Sequence, residues 1–251
     1  ATPHCPFFKI IIHSASLPNK HYVVKKIIIA IDGPSASGKS TLAKDLSEML
    51  SYIYVDSGAM YRAVTLYLQQ QKIPLDNIEA IRQVLGQIRI TFQRDTKGNR
   101  TLLNGIDVED AIRSMEVSRQ VSQVAAIPDV RTAMVQQQRA MGVQRGIVMD
   151  GRDIGTVVFP DAELKLFIVS DVIERARRRY AEIQKKQLAV SFEDILHNLH
   201  ERDRIDSTRA VAPLRKAQDA FEIDNTQLSP AQQLARALEL VNIITSEQES
   251  S

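Results

Sequence analysis

Lys26-Ile27-Ile28-Ile29-Ala30-Ile31-Asp32-Gly33-Pro34-Ser35-Ala36-Ser37-Gly38-Lys39-Ser40-Thr41 is the stretch that decides the fold. Its first part, Lys26–Ile31, is a run of branched apolar residues without alternation, the pattern of a strand buried on both faces. Its second part, Gly33–Ser40, matches G-x-x-x-x-G-K-[ST]. From Thr41 onward, Leu42, Ala43, Leu46, Met49 and Leu50 recur at helical spacing. Buried strand, glycine-bounded loop and amphipathic helix in immediate succession form the context in which this pattern binds a nucleoside triphosphate. Glycines let the chain curl so that successive N–H groups, with the helix N-terminus behind them, face the phosphates. Gly33, Pro34, Ser35, Ala36, Ser37, Gly38, Lys39, Ser40 and Thr41 are therefore the expected ATP contacts. Lys39 is the expected catalytic cation for the β- and γ-phosphates, and the Ser40 hydroxyl is the expected Mg2+ ligand.

Outward from that unit, Tyr52–Val55 reads as a second strand, ending in Asp56-Ser57-Gly58. Ala59 to about Leu85 is mostly helical in pattern. Arg89–Phe92 alternates and Thr101–Leu103 pairs back on it as a hairpin, across the turn residues of Asp95–Asn99. Met115–Ala126 and Val130–Met141 read as helices separated at Pro128. Ile147–Met149, Leu164–Val169 and, more weakly, Ala220–Ile223 complete the strands. Ser191 with Asp194, and Ser229 with Gln232, have capping-box spacing and mark two further helix starts. The expected fold is α/β, a five-stranded parallel sheet flanked by helices, with a small β-containing acceptor-binding insertion at about 59–128 and a helical lid at about 175–210. A single domain is expected over 25–251. Residues 1–24 are expected to be an N-terminal extension without ordered structure of its own.

The 251 residues carry a formal net charge of +2, with 44% apolar and 25% charged residues. That is the composition of a soluble domain with a core, and it supplies no global field for a nucleic-acid partner. Aromatics are only 5%, with no tryptophan, so base-stacking platforms are scarce. No apolar run approaches the ~18 residues of a membrane span. The apolar stretch Phe7–Ile12 is interrupted by Lys9 and lacks a convincing signal-peptide cleavage site. One cysteine, Cys5, excludes a disulfide within the chain, in keeping with a cytoplasmic location. A monomer acting on small molecules, with no nucleic acid and no membrane, is expected.

Asp56-Ser57-Gly58-Ala59-Met60-Tyr61-Arg62, Asp150-Gly151-Arg152-Asp153-Ile154-Gly155-Thr156 and the segment Arg202-Asp203-Arg204-Ile205-Asp206-Ser207-Thr208-Arg209-Ala210-Val211-Ala212-Pro213-Leu214 together resemble the bacterial-type cytidylate kinase family, over about Lys26 to about Ile244. The resemblance implies a nucleoside monophosphate kinase of pyrimidine metabolism that transfers the γ-phosphoryl group of ATP to CMP and dCMP, with Mg2+ as cofactor. It implies that Ser57, Arg62 and Arg152 hold the acceptor phosphate. By the same resemblance Arg202 and Asp206 address the ribose, Arg209 lies near the transferring phosphoryl group, and Ser122, Arg131 and Asp153 read the base. Arg152, Arg202 and Arg209 are the expected catalytic arginines beside Lys39. The residue types make sense independently, since phosphoryl transfer between two nucleotides gathers negative charge and needs converging cations. Asp150, at the end of an apolar strand, is placed to hold Mg2+ with Ser40; Asp32 is a second carboxylate considered for metal. Asp153 could instead orient Arg152 through an ion pair.

The alternatives are a kinase for another small acceptor such as UMP or shikimate, and a regulatory P-loop NTPase. The guanine-reading Asn-Lys-x-Asp motif of a switch GTPase does not occur after the loop; Asn19-Lys20 precedes it and is followed by His21-Tyr22.

Overall fold

The computed structural model describes residues 26–95, 98–185 and 190–247. The expectation for residues 1–24 lies outside them.

Strand β1 (Ile28–Asp32) leads into the phosphate loop, and helix α1 (Lys39–Leu50) leads out of it. β2 (Ile53–Asp56), β6 (Ile147–Gly151), β7 (Leu164–Val169) and β8 (Phe221–Asp224) join β1 in one sheet of order β2-β6-β1-β7-β8. Every pairing is parallel. The non-alternating pattern of β1 follows from its central position. Ile28 and Ala30 pack into one buried cluster and Ile27, Ile29 and Ile31 into another, so neither face meets water.

On one face lie α1 and α8 (Pro230–Glu247). On the other lie α2 (Ser57–Gln70), α3 (Ile78–Leu85), α4 (Met115–Ala126) and α5 (Pro128–Met141). Between α3 and α4, β3 (Ile90–Asp95), β4 (Gly98–Leu103) and the short β5 (Ile106–Asp107) form a separate antiparallel sheet. The hairpin register sets Ile90 against Leu103 and Phe92 against Thr101. Ile90 and Leu103 belong to the same buried cluster as α2 and β1, so this small sheet is not a free-standing unit. Helices α6 (Val172–Lys185) and α7 (Phe192–Thr208) form a hairpin with a small core of its own around Ala176, Ile183, Ile195 and Leu199.

The helix starts follow local chemistry. Asp56 caps α2 by accepting from the Ala59 amide at 2.9 Å. Ser191 caps α7 at the Asp194 amide, 3.0 Å away. Ser229 and Gln232 exchange both bonds of a capping box at 2.9 and 3.3 Å. Pro128 opens α5 as its first residue rather than merely separating two helices, because a proline there gives up an N–H that would have no acceptor inside the helix.

In a parallel sheet of this kind ligands bind beyond the carboxyl ends of the strands. Those ends here carry Asp32, Asp56, Asp150, Gly151 and Asp224, and the polar residues of the chain converge on that edge.

Candidate active site

The phosphate loop has the backbone shape that its glycines permit. Gly33 has φ 149°, and a β-carbon there would run into the carbonyl oxygen of Ile168 in β7. Gly38 has φ 87°, with the Asn225 amide nitrogen 2.7 Å from where its β-carbon would sit. Lys39 is buried and folds back over the loop, donating to the Pro34 carbonyl at 2.6 Å and to Ser37 Oγ at 3.3 Å. Burial and the neighbouring Arg152 charge push its ammonium down to about 7, against the pull of Asp150 and Asp32. A buried cation in that state gains from any anion delivered beside it.

Asp150 ends β6 with its carboxylate bridging two hydroxyls. Ser40 Oγ donates to Oδ2 at 2.9 Å, and Tyr54 OH to Oδ1 at 2.8 Å. Burial, with the Asp56 carboxylate nearby, raises Asp150 to about 6, against Lys39 and the two hydroxyl bonds. Tyr54 is a residue that the sequence reading missed. It sits in β2 as an ordinary apolar strand position, and only the parallel pairing with β6 brings it to Asp150. The structure corrects the placement of Asp32. Its two oxygens accept from the Ile154 and Gly155 amides, both at 2.8 Å, so it anchors the turn after β6. Burial raises that carboxyl to about 7 despite those two bonds.

A cavity of about 510 Å³ runs from the phosphate loop past Asp150 to a group of arginines, Arg62, Arg113, Arg152, Arg179 and Arg202. Arg62, from α2, donates to the Ile112 carbonyl at 3.2 Å and to Ser118 Oγ at 2.9 Å. Arg152 is held by Asp206, Nε to Oδ2 at 2.8 Å. Asp153 therefore does not orient Arg152, as the sequence allowed; Asp206 on α7 does. Arg202 is half-buried, its Nε buried and without a hydrogen-bond partner among the described residues, and desolvation with the Arg152 charge pushes it down to about 10. Arg113 was not singled out in the sequence. It lies in the single turn Ala111–Arg113 before α4, and binds Asp56 and Glu109, both at 2.9 Å. Ser57 Oγ donates to the Asp150 carbonyl at 2.6 Å, which fixes the start of α2 against β6.

A smaller pocket adjoins this one, walled by Tyr61, Ser122, Arg131, Asp153, Asp206 and Arg209 among others. Arg131 and Asp153 form a buried ion pair, side chains 2% and 4% exposed. Arg131 also donates to the Ala125 carbonyl at 3.2 Å and stacks over the Tyr61 ring, 5.4 Å from its centre. Such a pair costs about 3–5 kcal/mol when one partner is removed. Arg209 follows α7 and turns inward, 3.6 Å from Asp153 and 3.8 Å from Asp206, with Nε on the Ala212 carbonyl at 2.8 Å. This departs from the expectation for Arg209. It faces the small pocket with Asp153 rather than the large cavity with Lys39, because the helix ends there and the side chain bonds back to the following turn. Arg131 Nε and Arg209 Nη2 are buried donors without an acceptor among the described residues.

The arginine cluster of α6 separates by face. Arg177 is largely exposed beside Glu174, and Arg178 holds the Asn225 and Thr226 carbonyls at 2.9 and 3.0 Å. Arg179 lines the large cavity, and Arg175 is buried against the phosphate loop. Four arginines within five consecutive residues thus face four ways, as 3.6 residues per turn requires.

Residues 29–243 match the sequence profile of the family described as cytidylate kinase. A protein named cytidylate kinase from Phocaeicola vulgatus is 55% identical over 215 residues, covering 84% of this chain and 94% of its own length. One so named from Porphyromonas gingivalis is 52% identical over 225 residues, covering 87% and 97%. One from Flavobacterium psychrophilum is 53% identical over 226 residues, covering 88% of this chain and all 100% of its own.

Proposed function

The chain belongs to the cytidylate kinase family, and from that premise we propose that it transfers the γ-phosphoryl group of ATP to CMP, giving ADP and CDP. One observation carries the assignment to this chain's own residues. A cavity joins the phosphate loop to an arginine group, and Arg62, Arg152 and Arg202 also line the neighbouring pocket that holds the Arg131–Asp153 pair.

The reaction needs little chemistry beyond placement. Near pH 7 a nucleoside monophosphate is largely dianionic, since its second pKa is about 6. Its oxygen can attack the γ-phosphorus, and the bond to the β–γ bridging oxygen breaks, without a general base. The site accordingly supplies charge and orientation. Lys39 and the loop Gly33–Thr41, through its amides other than those of Pro34 and Ser35, hold the donor phosphates. Arg62 and Arg152, with Ser57 at the mouth of the small pocket, hold the acceptor phosphate. Arg202 lies between the two, and Asp206 addresses the ribose through its bond to Arg152. The 2′-hydroxyl is left to Asp206 and Arg202, a contact secondary to those on the phosphate and base, so dCMP is also a substrate.

Mg2+ fits the oxygens present. Ser40 and Asp150 offer one hydroxyl and one carboxylate side by side on the cavity, a sparse hard-donor set suited to an ion that takes its other ligands from phosphates and water. The chemistry such an ion supplies is neutralisation of charge on the β- and γ-phosphates.

Base choice rests on complementary hydrogen bonding. Cytosine donates from N4 and accepts at N3 and O2, which suits a carboxylate and a guanidinium, Asp153 and Arg131, with Ser122 beside them. Uracil presents O4 to the carboxylate and an N–H to the guanidinium. Arg209 stands 3.6 Å from the same carboxylate, on the side away from its bond to Arg131. A cytoplasmic, monomeric enzyme without nucleic-acid partners is the accompanying reading. It is supported by a net charge of only +2 and by both nucleotide sites lying within one chain; among the described residues no helix is long and apolar enough to cross a membrane. A thermal-shift panel of CMP, dCMP, UMP, AMP and shikimate tests the acceptor: CMP and dCMP should raise Tm most, and equal shifts from UMP or AMP would overturn the assignment.

A further inference from the structure

Two charged residues that the reaction does not use hold the phosphate loop from outside. Arg175, 5% exposed, sits near the start of α6. Its Nε donates to the Ser170 carbonyl at 3.1 Å, which ties it to the end of β7. Its Nη1 donates to the Ser35 carbonyl at 2.9 Å. Its Nη2 meets Asp203 Oδ2 at 2.7 Å. The other oxygen of Asp203 accepts from the Ser35 amide at 3.4 Å. Both backbone polar groups of Ser35, in the middle of the loop, are thus held by one ion pair that spans α6 and α7.

Asp203 occupies a particular place on α7. Arg202, the residue before it, faces the large cavity. Asp206, three residues on, holds Arg152 at 2.8 Å, and Arg209 beyond it reaches Asp153. Three residues of helix span about 4.5 Å along its axis, and α-helical hydrogen bonding makes such a segment move as one body. One rigid segment therefore carries the contacts to the acceptor side and the contact to the donor loop. An anion drawing Arg202 and Arg152 together repositions α7, and with it the carboxylate on the Ser35 amide. Phosphates seated in the loop act on the same bond from the other end.

We propose that Asp203, held by Arg175, is a positioning residue that couples the two nucleotide sites, so that filling either one tightens binding at the other. The idea rests on the assignment of ATP and CMP to these sites. Because coupling is a free energy shared by both ligands, the two enhancements must be equal.

Calorimetric titration of the whole chain with CMP, in the absence and presence of saturating Mg2+ and β,γ-methylene-ATP, reads this directly. For the wild type the CMP affinity should rise about fivefold or more with the analogue present, within the range of ordinary coupling energies. In Asp203→Asn that ratio should fall towards one, while the affinity for either ligand alone changes by less than the ratio does. Arg175→Lys, which keeps the charge but cannot span Ser35 and Asp203 together, should lower the ratio in the same direction, and it decides the matter if Asp203→Asn does not fold. A merely structural role would lower Tm and weaken both ligands without altering the ratio. Failure of CMP to bind the wild type at all would sink the acceptor assignment itself. CMP binding with a wild-type ratio of one, or an unchanged ratio in the variants, would overturn the coupling and leave that assignment standing.

Discussion

The donor and acceptor halves of the cavity are built by opposite means. The donor half, as proposed, is a single run, Gly33–Thr41, that offers mostly backbone amides, in a loop shaped by Gly33 and Gly38. The acceptor half gathers side chains from α2, α4, α5, the end of β6 and α7: Arg62, Ser122, Arg131, Arg152, Asp153, Arg202, Asp206 and Arg209. Backbone amides recognise phosphate and little else, so the donor half can be shared among kinases of many substrates. Side chains on separate elements can change one at a time, so selectivity resides in the acceptor half. Its cost is a set of buried charges that hold one another, Arg131 with Asp153 and Arg152 with Asp206.

That contrast is most sharply tested at Lys39, the donor-half side chain proposed to act on the transferring group. Lys39→Ala should lower kcat by at least about 100-fold, as losing a cation at the developing charge does. It should not lower Tm, because the ammonium it removes is buried and disfavoured by its surroundings. A steady-state assay and a melting curve read the two effects. A variant keeping a tenth of wild-type kcat would place the catalytic charge elsewhere.

The same lysine predicts a proton balance. Its pKa in the fold is about 7, below its ordinary 10.5, so the folded protein binds this proton less well than the unfolded chain. The sign follows: the penalty on stability is fully present below pH 7 and disappears as pH rises through 10.5. At pH 8 the ligand-free amine is mostly neutral, and triphosphate beside it restores the charge. ATP binding at pH 8 should therefore take up a proton, approaching one per site, while Asp150, raised only to about 6, is already ionised there. Calorimetry in buffers of different ionisation enthalpy measures this uptake. Lys39→Ala should abolish it, and no uptake in the wild type would contradict the burial argument.

Much of the donor half is legible in the sequence because it is contiguous. Pattern, strand and helix lie next to one another, and glycine spacing fixes the backbone. The parallel sheet follows from the same locality, down to β8, found at Phe221–Asp224 beside the expected Ala220–Ile223. The acceptor half is legible only through motif resemblance, since nothing local links Arg131 to Asp153 across 22 residues. Contacts made by neither motif nor pattern escape altogether. Tyr54 meets Asp150 across 96 positions, and Arg113, Arg175 and Asp203 are ordinary charged residues until tertiary structure brings them together. Asp32 errs in the other direction: its place before the loop suggests metal, but two turn amides occupy its oxygens.

Tyr54 gives the smallest expected effect and a check on how much support the donor half needs. Tyr54→Phe removes one donor from Asp150 and leaves the ring under Lys44, whose ammonium lies 5.8 Å from its centre. Stability should fall by about 1 kcal/mol, the net worth of a single hydrogen bond. The Mg2+ concentration giving half-maximal rate should shift by only a few-fold, with kcat at saturating Mg2+ near wild type. A loss as large as that of Lys39→Ala would mean that Tyr54 touches the reacting groups.

The measurement that bears most directly on the whole account is kcat/KM for CMP against UMP with saturating ATP, in wild type and in Asp153→Asn. Two mismatched buried polar groups at about 1–3 kcal/mol each predict a preference for CMP of about 30-fold or more. An amide at 153 can donate to O4 where a carboxylate cannot, so Asp153→Asn should narrow that ratio at least about tenfold, with UMP retaining the larger share of its activity. Equal turnover of the two nucleotides by the wild type, or a variant that loses both alike, would contradict the placement of the base against Arg131 and Asp153.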